Sequence, residues 1–119
     1  MFDNAFLVER VYLKGSLKNT EAGFEFKLNN RIDTGTLVSI KSLSVDGFEV
    51  PINSLSFQTP DGTWPAAGVS YSNPVPLRVG QDASLMISGK PLAPGQHHFI
   101  LTISVLEIGR VQLKFSDVL

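Results

Sequence analysis

The chain has 119 residues and a mass of 13.0 kDa, with 43% apolar and 18% charged residues; that is enough apolar material for one core, and it excludes a disordered chain. Ten basic residues against eleven acidic ones leave a formal charge of −1, so no basic field is available to hold nucleic acid. The longest apolar run, Phe99 to Leu106, is too short for a membrane-spanning helix, and the lack of cysteine excludes disulfides, thiolate metal sites and a cysteine nucleophile.

In chain order, Met1-Phe2-Asp3-Asn4 puts no basic segment ahead of an apolar one. No signal peptide is therefore expected, and a cytoplasmic address fits the missing thiols. Phe6 to Leu13 is mixed in pattern and reads as a strand. Phe24-Glu25-Phe26-Lys27-Leu28-Asn29 alternates apolar and polar side chains, which places three apolar groups on one face of a strand. Ile40-Lys41-Ser42-Leu43-Ser44-Val45 nearly does the same, with Leu43 and Val45 on one face. Asp46-Gly47, set between Val45 and Phe48-Glu49-Val50, is a hairpin signal, because a type I′ turn needs positive φ at both central residues. Pro60-Asp61-Gly62 is a second turn: proline presets φ, aspartate bonds locally and glycine takes the left-handed position.

Gln58 to Pro76 breaks the rhythm, with four prolines, Trp64 and Tyr71 and little alternation. A loop of that length in a small domain is usually functional, mobile or folded over something. Pro94-Gly95 ends the link from Gly89, ahead of a long strand. Phe99 to Leu106 is apolar on both faces, the pattern of a central strand covered on both sides. Gly109 closes the turn into Val111-Gln112-Leu113-Lys114-Phe115, which alternates again. Nowhere do apolar residues recur at helical spacing over three turns, so no substantial helix is expected. The reading is all-β: residues 1–119 form a single domain, an antiparallel β-sandwich or a small barrel.

Chemistry-bearing groups are sparse. His97 and His98 are the two histidines, and alternation along a strand sends adjacent side chains to opposite faces, so they cannot ligate one metal together. No serine sits in a Gly-x-Ser-x-Gly elbow, and Gly89-Lys90-Pro91 lacks the glycine and hydroxyl positions of a phosphate loop. Asp33, Asp46 and Asp61 lie in turns, without the Asp-x-Asp-x-Asp spacing of a calcium loop. Trp64, Tyr71 and Phe57 could form an aromatic platform, or Trp64 could fold back as a plug over one end of the sandwich. Arg31, in Asn29-Asn30-Arg31-Ile32-Asp33, is a lone charge in a polar turn.

The order of short signatures resembles the small β subunit of the bacterial C-glycoside deglycosidases. The residues that carry the resemblance are Met1-Phe2-Asp3-Asn4, Gly23-Phe24-Glu25-Phe26, Val45-Asp46-Gly47 with Val50-Pro51 and Phe57, and Pro91-Leu92-Ala93-Pro94-Gly95-Gln96-His97. The resemblance implies an accessory, noncatalytic β-sandwich subunit of a hetero-oligomeric lyase of carbohydrate metabolism. Its partner would be a larger TIM-barrel α subunit carrying a divalent metal such as manganese, which cleaves the carbon–carbon bond of 3-oxo-C-glycosides by elimination. On that reading this chain has no catalytic residue, no metal ligand and no cofactor. Arg31, Trp64, Tyr71 and His97 are its candidate contacts to substrate or partner. Where the family often has an aromatic, basic loop, this chain has Asn29-Asn30-Arg31-Ile32-Asp33-Thr34-Gly35.

The alternative is an Ig-like carbohydrate-binding or protein-interaction module without a catalytic role, using Trp64 and Tyr71. The two apolar faces of Phe99 to Leu106 and the shortage of charge for guarding sheet edges lead to an expectation of self-association or a large hetero-interface.

Overall fold

The computed structural model describes Phe2, Asp3, Val8 and residues 10–119. Among these residues the chain forms β1 (Phe2–Asp3), β2 (Lys18–Asn19), β3 (Gly23–Asn29), β4 (Gly35–Val45), β5 (Phe48–Glu49), β6 (Leu55–Thr59), β7 (Gly62–Pro65), β8 (Val75–Leu77), β9 (Asp82–Ser88), β10 (Gln96–Val105) and β11 (Gly109–Val118). One sheet runs β1-β11-β10-β4-β5, with β8 also on β4; the other runs β2-β3-β9-β6-β7. Pairing is antiparallel except between β1 and β11. The architecture is all-β and open rather than a closed barrel. No helix among the described residues is long and apolar enough to cross a membrane.

Alternation explains which faces meet. Phe24, Phe26 and Leu28 of β3 are buried, as are Leu43 and Val45 of β4 and Val111, Leu113 and Phe115 of β11. The three-residue step from Ile40 to Leu43 reflects a bulge: the register with β10 shifts between Thr102↔Ser42 and Ile103↔Ile40, leaving Lys41 as the extra residue. Asp46 and Gly47 both have positive φ, 53° and 86°, as the turn between β4 and β5 demands. Gly23 is required for a different reason. A Cβ there would collide with the Ile87 carbonyl oxygen on β9.

Three expectations need correction. Phe6 to Leu13 is not a strand where it is described: Val8, Arg10 and Val11 are helical, and the Tyr12 N–H donates to the Val8 carbonyl at 2.9 Å. Val8 and Val11, three residues apart, both pack against the core, the spacing of one helical face. Phe6, Leu7 and Glu9 lie outside the described residues. The segment from Gln58 to Pro76 is not a long loop but holds β7, a 3-10 turn at Ala66–Gly68 and the start of β8. Its prolines fit because β7 and β8 pair on one side only. Phe99 to Leu106 is central but mixed rather than apolar on its second face, where buried Thr102 sits between half-buried Ile100 and Ser104. Each sheet also ends in strands of two to four residues, a geometry that limits edge-to-edge pairing.

Four rings join the sheets at one end. Tyr12 stacks on Phe115 at 4.1 Å between centroids and Phe115 on Phe99 at 5.2 Å, while Phe26 meets Phe115 and Phe99 at 5.1 and 5.5 Å. Each such pair adds about 0.5–1.5 kcal/mol beyond burial.

Two polar pins lock the same end. The carboxylate of Asp117, 5% exposed, accepts the Tyr12 hydroxyl at 2.6 Å and the Gly15 N–H at 2.8 Å on Oδ2, and the Val118 N–H at 2.8 Å on Oδ1. Burial works against the charge of Asp117, yet the Tyr12 hydroxyl and the backbone N–H groups outweigh it and hold the carboxyl below its ordinary range. Burial, with the Asp117 carboxylate beside it, pushes the Tyr12 hydroxyl strongly upward. His97, the register partner of Asp117, donates from Nε2 to the Ala93 carbonyl at 2.7 Å and from Nδ1 to Asp46 Oδ2 at 2.6 Å. With an acceptor on each nitrogen, the doubly protonated ring is favoured. The Ala93 carbonyl first, and Asp46 second, raise the imidazole above 6.5; His97, then the His98 N–H, lowers Asp46 below 3.8.

Tyr12→Phe keeps the stack on Phe115 and removes one donor from a buried carboxylate, so it should lower the unfolding free energy by about 1.5–3 kcal/mol, read by urea denaturation. The His97 pin has a sign fixed by linkage. Its pKa is raised by folding, so its contribution is complete below about pH 6.5 and is lost as pH rises through the folded-state value. Asp46 is lowered, so its contribution is lost only as pH falls through its depressed value in acid. The thermal midpoint should therefore fall from about pH 6 to about pH 9, and His97→Gln should flatten that slope.

Candidate functional site

At the other end of the sandwich the sheets do not close. Leu28, Phe57, Ala83 and Leu85 from one sheet and Leu37, Ile103, Val105 and Val111 from the other enclose a cavity of about 330 Å³. The strands explain the location. Leu28 and Ala83 are register partners, as are Phe57 and Leu85, so each pair presents its side chains to the same interior face. Phe57 is the one aromatic ring among the described lining residues. The void exists because small and aliphatic side chains meet there instead of rings.

Three loops surround the mouth: residues 30–34, 78–81 and 106–108. Ile32 and Ile108 line it while remaining 45% and 49% exposed, and Val79 and Leu106 are exposed in the same loops. The polar groups of the lining are nearly all satisfied within the chain. Asn30 Nδ2 donates to the Leu77 carbonyl at 3.0 Å, and Asp33 Oδ1 accepts the Thr34 N–H at 2.7 Å. Arg78 Nε meets Asp61 at 2.9 Å, and Asp82 accepts from Asn29 at 2.7 Å. Glu107 accepts the Thr36 N–H at 2.8 Å and its hydroxyl at 2.9 Å; these bonds, the hydroxyl foremost, hold the carboxyl below its ordinary range. Gln81 is the exception: its Oε1 is buried without a hydrogen-bond partner.

Such a chamber can hold an apolar molecule away from water, at the small end of the usual range for ligand pockets. Among the described residues no group of three or more His, Asp or Glu lies together in a way that could hold a metal ion.

The candidate contact residues are not brought together. Arg31 is exposed beside the mouth, its Nε donating to the Arg10 carbonyl at 3.1 Å. Trp64 is the register partner of Phe57 and packs half-buried against the core. Tyr71 is 74% exposed in the stretch between β7 and β8. His97 lies at the pinned end, roughly 27 Å along β10 from Val105. His98 is exposed on the opposite face of the strand. Sequence reasoning missed the cavity, although one signal was present: apolar Ile32, Val79, Leu106 and Ile108 stand at turn positions, where polar side chains are the norm.

A family model described as hydroxymethylglutaryl-CoA reductase, N-terminal domain, matches residues 7–119. No curated protein matches the chain. The family match overturns the resemblance to the C-glycoside deglycosidase β subunit, and with it the accessory role in a carbon–carbon lyase. The structure explains why the quoted motifs misled. Val45-Asp46-Gly47 and the run ending Pro94-Gly95-Gln96-His97 are the two halves of one pin, Asp46 against His97, so their ordered occurrence reports a sandwich contact. The barrel partner and its metal rested on that resemblance alone, and the Ig-like carbohydrate-binding or protein-interaction module gains no support from the match. With 7–119 matched, the chain belongs to the hydroxymethylglutaryl-CoA reductase N-terminal domain family.

Proposed function

We propose that this chain is a ligand-holding domain of the hydroxymethylglutaryl-CoA reductase family, in which the space between the sheets receives the apolar part of a small molecule. On this reading the reduction named in the family description belongs to another part of the reductase. This chain contributes binding, as a single sandwich domain, and its lack of cysteine suits a cytoplasmic setting. The observation that carries the reading is the cavity of about 330 Å³, aliphatic in its walls and open between loops whose tips are apolar. An engineered cavity of about 150 Å³ lined by similar side chains binds benzene. By that scale this one accepts a molecule of roughly ten to twelve non-hydrogen atoms.

The ionisable groups support the same division of labour. His97, Asp46, Tyr12 and Asp117 form hydrogen bonds to one another or to backbone at the pinned end, and the carboxylates at the mouth are bonded to neighbouring loops. They hold the walls in place.

Calorimetric titration of the full chain with decan-1-ol should show saturable binding at one site. Ala83→Phe, which fills the cavity from β9, should remove that binding without lowering the thermal midpoint. Ligand at about 100 times Kd should stabilise the chain by about 2.7 kcal/mol, read as a rise in thermal midpoint that Ala83→Phe abolishes. Absence of any binding by apolar chains would overturn the reading.

A further inference from the structure

We propose that the open end of the sandwich docks on a zwitterionic lipid surface, with the side chains of Ile32, Val79, Leu106 and Ile108 entering its apolar layer. The contact is peripheral rather than a span. It deepens the ligand-site reading, on which it rests in part, by naming the source of an apolar guest.

Strand pairing gathers these side chains at one end. Asn29 pairs with Asp82, Gly35 with Leu77 and Val105 with Gly109, so the loops at 30–34, 78–81 and 106–108 leave the two sheets on the same side. The Gly80 N–H, donating to the Asn30 carbonyl at 2.8 Å, ties the first two loops together. The four aliphatic side chains are each between 45% and 56% exposed. Apolar groups collected at one end of a small domain mark an interaction site, whereas the same groups scattered singly would not.

The backbone behind them suits a medium without water. The Ile32 N–H donates to Asn30 Oδ1 at 3.2 Å, the Leu106 N–H to the Thr36 carbonyl at 2.9 Å, and the Ile108 N–H to the Val105 carbonyl at 3.2 Å. A tip whose donors are satisfied internally can enter hydrocarbon without leaving an N–H group unmatched.

Two features favour lipid over a protein partner. The loops surround the cavity mouth, so the middle of the patch is hollow, while a protein interface draws most of its energy from a packed centre rich in Trp, Tyr and Arg. A fluid layer conforms to a ring around an opening. Charge points the same way. Arg31 and Arg110 are exposed beside exposed Asp33 and Glu107, and Arg78 is held by Asp61. Both signs therefore stand around the tips, complementing the phosphate and the quaternary amine of a zwitterionic head group. A uniformly anionic layer would be repelled by the carboxylates.

Flotation of the full chain with phosphatidylcholine vesicles tests the proposal. The chain should rise with the vesicles, about tenfold more sodium chloride should leave its partition coefficient unchanged, and admixed phosphatidylglycerol should not strengthen it. Val79 and Leu106 do not line the cavity. The double variant Val79→Ser, Leu106→Ser should therefore keep the wild-type thermal midpoint and decan-1-ol binding, yet lose about tenfold or more in partitioning. Ala83→Phe, with the cavity filled and the tips intact, should float as the wild type does. A chain that stays in water, a double variant that floats equally well, or flotation that needs phosphatidylglycerol and is lost in salt would overturn the proposal. So would a dimer that the double substitution dissociates, which would make the tips a protein contact. Decan-1-ol titration separates the two readings: binding there without flotation leaves the cavity a ligand site, and its absence removes that reading alone.

Discussion

Four aromatic rings decide the spacing between the sheets. Tyr12, Phe26, Phe99 and Phe115 interlock at one end, and their thickness fits the separation of about 10 Å at which packed sheets settle. Toward the far end the facing side chains are Ala83, Val105, Val111 and Leu28, and these cannot span the same gap. The cavity lies where small and aliphatic side chains face one another instead of rings. Unfilled apolar volume costs about 24 cal/mol per Å³, so stability and occupancy are coupled in this fold.

Polar groups are divided between the two ends. At the pinned end, His97 and Asp117 face each other across the β10–β11 register and connect outward to the Ala93 carbonyl, Asp46, Tyr12 and Gly15. The Asp46, Tyr12 and Gly15 contacts join segments distant in sequence, while the Ala93 carbonyl lies four residues before His97. At the open end, Asn30, Thr36 and Asp61 tie neighbouring loops together and leave the amide oxygen of Gln81 unmatched.

The all-β class was legible because alternation is a local property. Phe24 to Asn29 and Val111 to Phe115 show it without help from the rest of the chain, and Asp46-Gly47 announces its turn through backbone conformation alone. The irregular step at Lys41 was visible too, though its cause is the register against β10. The pins were not legible: Tyr12 and Asp117 are separated by 105 positions, and no spacing rule connects them. Nor was the cavity, because a void is the difference between a fixed gap and the summed volumes of side chains from two sheets. The sequence singled out His97 as a possible contact; its two ring nitrogens are bonded to Asp46 and to the Ala93 carbonyl, partners that no spacing rule predicts. Trp64 and Tyr71, neighbours in sequence terms, have different surroundings: one packs against the core and the other faces solvent.

A sandwich closed by rings and pins at one end and left hollow at the other behaves as a spring clip. Backbone amides around Phe99 and Phe115 sit where the clip is clenched, and deuterium reaches them only when the entire fold opens. Those around Val105 and Val111, on the same two strands, flank the hollow, where local opening would expose them without global unfolding. On the proposed reading, a guest lodged between the jaws would slow the second group and leave the first untouched, so one pair of strands would record both global unfolding and binding.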